Sequence, residues 1–312
     1  MADLVNEFSW SKSRDGVFLE CPRQYWFQYY GSWGGWEAQA DVRTREIYIL
    51  KQLKNRYMWI GDRVHRAIER TLRNLFMSPK PLAMNVDEIV RITLEEMRLD
   101  FKSSRDGRYR TQPKSCGLFE HEYGVPVAAT EWKRLAGTVE RCLLWFYSSD
   151  IFREIQDSSR DGWLELEEFS SFDLDGVRVH VVLDFARRQA DQILIYDWKT
   201  GASNEQDNRV QMACYAFYAS QRWGAPPERV HPIEVNLNRG EITRYRVSAA
   251  DLDRTRAYLE GSIADMRRLL RDPQRNIAAE EDFRKINEGR ACRRCRFARI
   301  CDPEVLRETP AP

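Results

Sequence analysis

The stretch Gln192-Ile-Leu-Ile-Tyr-Asp-Trp-Lys-Thr-Gly201 predicts a strand that ends in a charged pair. Side chains alternate between the two faces of a strand, so Asp197 and Lys199 should project on one side and Trp198 on the other. An Asp and a Lys two residues apart occur often by chance, and a surface ion pair is the simplest explanation. The residues around this strand decide whether the pair has a chemical role.

A second aspartate lies in the preceding predicted strand, residues 177–186. If the two strands are neighbours, Asp184 and Asp197 meet at one end of the sheet. Two carboxylates that close together repel each other unless a cation lies between them. Their oxygen ligands suit Mg²⁺ or Mn²⁺, and the backbone carbonyl of Trp198 is a further candidate ligand. Lys199 would lie beside the ion, where it could orient an attacking water or stabilise negative charge.

Two helices that flank the predicted sheet add more polar side chains. His65 and Glu69 lie four residues apart in the first helix, and Gln211 and Tyr215 have the same spacing in the second. Residues with this spacing share one face of a helix. A single helical histidine is more often structural than a ligand, but this one belongs to a spaced set.

The periodicity of apolar residues predicts an α/β protein with a central mixed sheet flanked by helices. The expected helices are 62–76, 85–101, 131–148, 205–222 and 250–271, and the expected strands are 163–173, 177–186, 192–199, 229–237 and 241–247. Asn85 and Thr130 are the expected N-caps of two helices, and Pro22 suits a first helical turn. Asp175-Gly176 has the composition of a hairpin turn.

Four of the seven cysteines are divided into one near the start, Cys21, and three near the end, Cys292-x2-Cys295-x5-Cys301. Four thiolates suit structural zinc or an iron–sulfur cluster. Zinc sites more often have two Cys-x2-Cys pairs, which this spacing lacks, and unliganded structural thiols do not explain the spacing at all. Residues 21 and 292 are 271 positions apart, so a shared cofactor would close a very long loop.

Composition and charge narrow the possible partners. The chain has 312 residues and a net charge of +1, so its total charge does not indicate a polyanion partner. Segments 98–114 and 284–299 are locally basic and could contact phosphates. Segment 98–114 could equally be a solvated face, whereas the arginines of 284–299 crowd the cysteines, which favours a role there. No apolar run reaches about 18 residues and the N-terminus is unlike a signal peptide, so we expect a cytoplasmic protein without a membrane partner.

Aromatic residues crowd positions 10–36. Packing in the core is the expected role of most of them. Trp33 and Trp36 lie among glycines and are the best candidates for exposure, where they could stack on unpaired bases.

The order of these motifs resembles a known family. Four segments carry the resemblance: Gly61-Asp-Arg-Val-His65, Leu183-Asp-Phe-Ala-Arg187, Ile195-Tyr-Asp-Trp-Lys-Thr-Gly201 and Gln211-Met-Ala-Cys-Tyr215. They are similar to the RecB-like branch of the PD-(D/E)XK nucleases. The cysteine pattern is similar to its iron–sulfur subgroup, which includes the AddB nuclease domain, exonuclease V and the CRISPR adaptation nucleases. One departure is the middle motif, where the family often has a glycine three residues before the aspartate and this chain has Val181.

The resemblance implies one elaborated domain with a restriction-endonuclease-like core. Residues 161–250 would form the nuclease core, residues 61–160 a helical region carrying His65, and residues 1–60 and 275–312 the iron–sulfur region. Residues 77–160 match no family motif and would be a helical insertion.

The resemblance also implies roles for individual residues. His65, Asp184 and Asp197 would hold Mg²⁺ or Mn²⁺ and Lys199 would be the catalytic lysine, with Gln211 and Tyr215 supporting the site. A [4Fe–4S] cluster would join the termini through four ligands, Cys21, Cys292, Cys295 and Cys301.

The activity that the resemblance implies is hydrolysis of DNA by an exonuclease acting on single-stranded or free-ended DNA. Such an enzyme would serve repair, recombination or CRISPR adaptation, with a helicase or a CRISPR adaptation protein as partner. The alternative is a non-catalytic iron–sulfur scaffold that binds DNA within a larger complex.

Overall fold

The computed structural model describes residues 4–78, 85–201, 205–286 and 289–306. Its helices are α1 Lys12–Glu20, α2 Pro22–Trp26, α3 Val42–Lys51, α4 Arg56–Met77, α5 Val86–Arg105, α6 Phe119–Glu122, α7 Ala129–Ser148, α8 Asp150–Asp157, α9 Glu205–Trp223, α10 Ala249–Arg267, α11 Gly289–Arg294 and α12 Ala298–Cys301. Its strands are β1 Ser9–Trp10, β2 Trp163–Glu165, β3 Glu168–Leu174, β4 Val177–Leu183, β5 Phe185–Gln189, β6 Gln192–Lys199, β7 Val230–Asn236 and β8 Glu241–Arg244.

The strands form two sheets. The larger has the order β2-β5-β6-β7-β8, and the smaller has the order β1-β4-β3. Strand β6 pairs parallel with β7 and antiparallel with β5, so the larger sheet is mixed. The expectation of an α/β protein with a mixed sheet and flanking helices is therefore confirmed.

Two of the predicted strands are each broken in the middle. The predicted strand 163–173 divides into β2 and β3, and the predicted strand 177–186 divides into β4 and β5. In each case one half belongs to the larger sheet and the other half to the smaller sheet. The breaks fall at Glu167 and Asp184, so both carboxylates lie where the chain passes from one sheet to the other. The bend at Asp184 forms without the glycine that the family often has there.

The ends of the helices agree with the sequence in most places. Asn85 caps α5 by accepting a hydrogen bond from the Glu88 amide at 3.1 Å, and Pro22 lies in the first turn of α2. The expectation for Thr130 is wrong, since α7 begins at Ala129, two residues before the expected start, and Ala128 takes the N-cap position. Helix α4 begins before the expected position because Asn55 accepts from the Tyr57 and Met58 amides.

Both faces of the larger sheet are covered. Helices α4, α5 and α7 pack on one face, where Trp198 is fully buried, and α9 and α10 pack on the other. A strand buried on both faces has few polar positions that water can reach, so the charged end of β6 is enclosed by protein. Burying a large apolar side chain typically contributes about 1.5–3 kcal/mol, which holds this strand in register. In the part of the chain that the structure describes, no helix has the length and apolar character needed to cross a membrane.

Candidate active site

The end of β6 carries an ion pair on the face that α9 covers. Lys199 Nζ lies 2.7 Å from Asp197 Oδ2. Trp198 points to the opposite face, where its ring meets Phe146 edge-on with centroids 5.2 Å apart. The alternation of side chains along the strand therefore places the charged residues as expected.

Asp184 lies opposite Asp197, where β4 passes into β5. The antiparallel register pairs Phe185 with Tyr196, so Asp184, which precedes Phe185, faces Asp197, which follows Tyr196. Asp184 Oδ2 accepts a hydrogen bond of 2.6 Å from the Trp198 amide. This bond fixes the carboxylate against the backbone of β6.

His65 approaches the same point from helix α4. Its Nε2 lies 2.9 Å from the Trp198 carbonyl oxygen, and its Nδ1 lies 3.4 Å from Asp184 Oδ1. The approach depends on a small residue one turn earlier, because a Cβ on Gly61 would lie 3.2 Å from Thr200 Oγ1. This close packing gives a physical reason for the glycine that precedes His65.

Two side chains of α9 hold the carboxylate of Asp197. Tyr215 Oη donates to Asp197 Oδ1 at 3.0 Å, and Gln211 Nε2 donates to the same oxygen at 3.1 Å. Lys199 Nζ donates to Gln211 Oε1 at 3.2 Å, which closes a small network. The four side chains act as one hydrogen-bonded unit that positions Asp197.

A further carboxylate, which sequence reasoning missed, completes the group around His65. Glu167 Oε1 lies 3.3 Å from His65 Nδ1, on the residue that joins β2 to β3. Its backbone has φ of 50° and its amide donates to the Leu183 carbonyl at 2.9 Å. A left-handed backbone is uncommon outside glycine, and such positions concentrate at functional sites. The available signal was Glu167-Glu168, which shifts the apolar alternation by one residue.

The site favours positive charge. Burial raises the pKa of Asp197, and the negative charge of Asp184 raises it further. The positive charge of Lys199 opposes this shift but does not cancel it. Burial lowers the pKa of Lys199, but Asp197 more than reverses this and the net shift is upward. Burial also lowers the pKa of His65, yet Asp184 and Glu167 together raise it well above its usual value. Three carboxylates thus draw protons and cations to this point.

The donor atoms fit a small, hard divalent cation. The ligand atoms of His65, Glu167 and Asp184 all lie within 4.8 Å of one another. Neighbouring ligands of octahedral Mg²⁺ or Mn²⁺ are about 3 Å apart when each lies about 2.1 Å from the ion. The Trp198 carbonyl oxygen can only accept, so His65 Nε2 donates to it at 2.9 Å, and Nδ1 is the ring nitrogen that faces Asp184 and Glu167. Oxygen donors with one imidazole nitrogen are the ligands such ions accept.

Comparison with known proteins gives the family. The family model of the PD-(D/E)XK nuclease superfamily matches residues 9–302. The chain belongs to this superfamily. The match includes the segments that carry His65, Asp184, Asp197 and Lys199, and membership in the superfamily implies nuclease activity. No single curated protein matches the chain.

Glu167→Gln should weaken the binding of Mn²⁺ to this PD-(D/E)XK protein. The substitution keeps the size of the side chain but removes a negative charge from the group around His65. We expect the dissociation constant to rise about 10- to 100-fold, as for other groups that orient metal ligands. Calorimetric titration with Mn²⁺ measures this without any substrate. Glu168→Gln, on the exposed neighbouring residue, is the matched control and should bind Mn²⁺ as the wild type does. Equal affinity in all three proteins would remove Glu167 from the site.

The four cysteines of this PD-(D/E)XK chain line one small pocket. Cys21 precedes α2, and the other three lie in or beside α11 and α12. The amide of Phe297 donates to Cys295 Sγ at 3.5 Å. Burial raises the pKa of Cys295 to about 12 and that of Cys301 to about 11, so bare thiolates are disfavoured there and a metal centre would stabilise them.

Two arginines of the basic segment 284–299 contact other parts of the fold. Arg296 donates to the Lys51 carbonyl at 2.8 Å, and Arg299 pairs with Glu122 at 2.5 Å. Arg293 and Arg294 are exposed, and a contact of this segment with phosphates stays a prediction. In the other basic segment, Arg110 is likewise engaged, with Glu46 at 2.7 Å.

The aromatic residues near the N-terminus divide as expected. Trp10, Tyr25 and Phe27 are buried in the core. Trp33 and Trp36 are each 38% exposed, with their rings edge-to-face at 5.1 Å between centroids. A role for these two tryptophans in stacking on bases stays a prediction.

Proposed function

We propose that this protein is a Mg²⁺- or Mn²⁺-dependent deoxyribonuclease of the RecB-like iron–sulfur branch, acting as an exonuclease on single-stranded or free-ended DNA. The observation that carries the proposal is the convergence of Asp184, Asp197, Lys199 and His65 at one end of β6. These residues come from helix α4, from the junction between β4 and β5 and from the end of β6, and packing alone does not require that two carboxylates be enclosed together.

The roles of the residues follow from their contacts. His65, Asp184, Asp197 and the carbonyl oxygen of Trp198 would hold the ion, with Glu167 beside them. A divalent cation there supplies positive charge against the phosphate oxygens in the transition state. Lys199, kept protonated by Asp197, can orient the attacking water or donate to a phosphate oxygen. Gln211 and Tyr215 keep Asp197 in place.

The same proposal assigns a [4Fe–4S] cluster to Cys21, Cys292, Cys295 and Cys301. The pocket that all four cysteines line supports it. We also propose one elaborated domain with the boundaries given above, in which the cluster region joins the two ends of the nuclease core. The process served would be repair, recombination or CRISPR adaptation, together with a helicase or a CRISPR adaptation protein.

Cleavage of labelled DNA tests the activity. Purified protein with Mg²⁺ or Mn²⁺ should degrade linear single-stranded DNA and leave a covalently closed single-stranded circle intact, since an exonuclease needs an end. Lys199→Met should lower the turnover number about 10²- to 10³-fold, the usual effect of removing a group that stabilises transition-state charge. Lys133→Met, on an exposed lysine of α7, is the control and should cut normally.

Three outcomes would change the proposal. Cleavage of the circle would make the enzyme an endonuclease. Equal activity of Lys199→Met and the wild type would remove the lysine from the mechanism. Binding of DNA without cleavage, by wild type and variants alike, would favour the non-catalytic scaffold.

A further inference from the structure

A cleft of about 390 Å³ opens beside the candidate active site. Four parts of the chain bound it: the N-terminal segment 10–14, Tyr29, the β3–β4 hairpin, and Gln211 and Tyr215 of α9. The volume lies within the range of about 300–1,000 Å³ that is usual for ligand sites. Because Gln211 and Tyr215 also contact Asp197, whatever fills the cleft lies next to the catalytic carboxylate.

The β3–β4 hairpin connects the cleft with the metal ligands. Phe169 lies two residues beyond Glu167, and Val182, its partner in the antiparallel register, lies two residues before Asp184. Two residues of a strand span about 7 Å. Phe169 therefore stands about one step of an extended nucleotide chain away from the ion site.

The hairpin presents an aromatic surface to this cleft. The side chain of Phe169 is 74% exposed, and its ring packs on the His180 ring at an angle of 30°, with centroids 4.5 Å apart. Burial, together with the charges of Arg14 and Arg178, lowers the pKa of His180, so the paired rings are uncharged at neutral pH. A single exposed phenylalanine is ordinary, but here it is stacked on a second ring and adjoins a catalytic centre.

Arg14 supplies positive charge to the cleft. Lys12 also lines it but is paired with the buried Asp15 at 3.1 Å, and none of the described residues that line the cleft is acidic. Arg14 is held over the Tyr29 ring, 4.2 Å from its centroid, and donates to the Ser9 carbonyl oxygen at 3.2 Å. A fixed guanidinium beside an aromatic face is the arrangement that holds a phosphate next to a stacked base.

We propose that the cleft binds one unpaired nucleotide of a single-stranded DNA substrate, adjacent to the scissile phosphate. Its base stacks on the Phe169–His180 face and its phosphate contacts Arg14. The inference rests on the proposed nuclease function and adds to it, because a base inside a duplex is already stacked and paired and cannot occupy this face. The cleft therefore selects for single strands at the active site.

Binding in the absence of divalent ions tests the proposal independently of cleavage. Fluorescence anisotropy of a labelled oligothymidylate, with EDTA present, should show that Phe169→Ala weakens binding about 10-fold, since stacking of one base contributes about 1–3 kcal/mol. Phe169→Trp keeps an aromatic face and should bind as the wild type does. Phe76→Ala, at an exposed phenylalanine near the end of α4, is the matched control and should leave binding unchanged. Binding of a blunt duplex should be the same in all four proteins.

A second variant tests the phosphate contact. Arg14→Gln should lower the slope of log affinity against log salt by about 0.7 on the single strand, the value for one lost phosphate contact. The proposal is overturned if Phe169→Ala binds the single strand as tightly as the wild type, or if it loses affinity for single strand and duplex equally. If binding depends on Phe169 but the protein does not cleave DNA, the cleft proposal stands and the nuclease proposal is refuted. If the protein cleaves DNA normally but binding does not depend on Phe169, the nuclease proposal stands and the cleft proposal is refuted.

Discussion

Asp197→Asn should abolish DNA cleavage while leaving the fold and the binding of single-stranded DNA intact. Asp197 is 2% exposed, and it is held by Tyr215, Gln211 and Lys199. An asparagine has the same shape and its Oδ1 can still accept from Tyr215 and Gln211, but its Nδ2 faces Lys199, and it lacks the charge that would attract the cation and keep Lys199 protonated. Losing both effects at once should reduce the turnover number by at least about 10³-fold, more than the loss of one charge-stabilising group.

The control for this variant lies on the same hairpin. Asp191→Asn removes a carboxylate from the β5–β6 turn, where it is paired with Arg229 at 3.5 Å and is mostly exposed. Exposed pairs of this kind contribute about 0–1 kcal/mol, so activity and melting temperature should both stay at wild-type values. Time courses on linear single-stranded DNA with Mn²⁺ and anisotropy with EDTA give the two readouts. Cleavage by Asp197→Asn within about tenfold of the wild type would show that the chemistry lies elsewhere.

The sequence indicated most of this site because its parts follow local rules. Alternation along β6 put Asp197 and Lys199 on one face, and the i, i+4 spacing did the same for Gln211 and Tyr215 on α9. The meeting of Asp184 with Asp197 needed one further assumption, that the two strands are neighbours, and the register confirms it. The catalytic roles themselves stay predictions.

Glu167 could not be predicted in the same way. Its position depends on β2 and β3 belonging to different sheets, which is decided by how both pack against the rest of the molecule. A local pattern shows only an alternating segment with one irregularity. The wrong N-cap at Thr130 has a related origin. Helix α7 begins at Ala129 after Ala128, which makes no side-chain capping hydrogen bond, so a search for a capping side chain misplaces its start. The contacts of Arg296 and Arg299 could not be predicted either, because their partners, Lys51 and Glu122, are distant in the sequence.

Cys295→Ala should yield a colourless protein that unfolds more easily than the wild type. Cys295 Sγ is mostly buried, and it shares its pocket with the other three cysteines. Loss of one ligand should release the cluster, and with it a link between positions 21 and 292. Closing a loop of about 100 residues or more is worth about 4–5 kcal/mol in chain-entropy models, and metal binding adds to this because it is coupled to folding. We expect a loss of at least about 3 kcal/mol of unfolding free energy, measured by urea denaturation.

The matched control is Cys116→Ala. Cys116 packs at the edge of the main core, and burial raises its pKa to about 12, which suits an inert thiol. Its replacement should keep the colour and cost no more than about 1–2 kcal/mol. A stable, fully active Cys295→Ala protein would refute the structural role of the cluster. A colourless wild type that contains zinc would refute the iron–sulfur assignment but keep the structural role.

The segments of Cys295→Ala that lose protection from hydrogen exchange show whether the proposed cluster stabilises the active site or only the chain ends. Phe27 stacks on Phe297 with centroids 5.3 Å apart, so some contact between the terminal segments survives without metal. Hydrogen exchange should therefore speed up first in α2, α11 and α12, while β6, buried on both faces, stays protected. Tyr29, which lines the cleft with Arg14, follows α2 directly. Loosening of α2 should consequently weaken the binding of single-stranded DNA before it affects the affinity of the His65 group for Mn²⁺. Equal loss of both would mean that the cluster supports the whole nuclease core and not the substrate path alone.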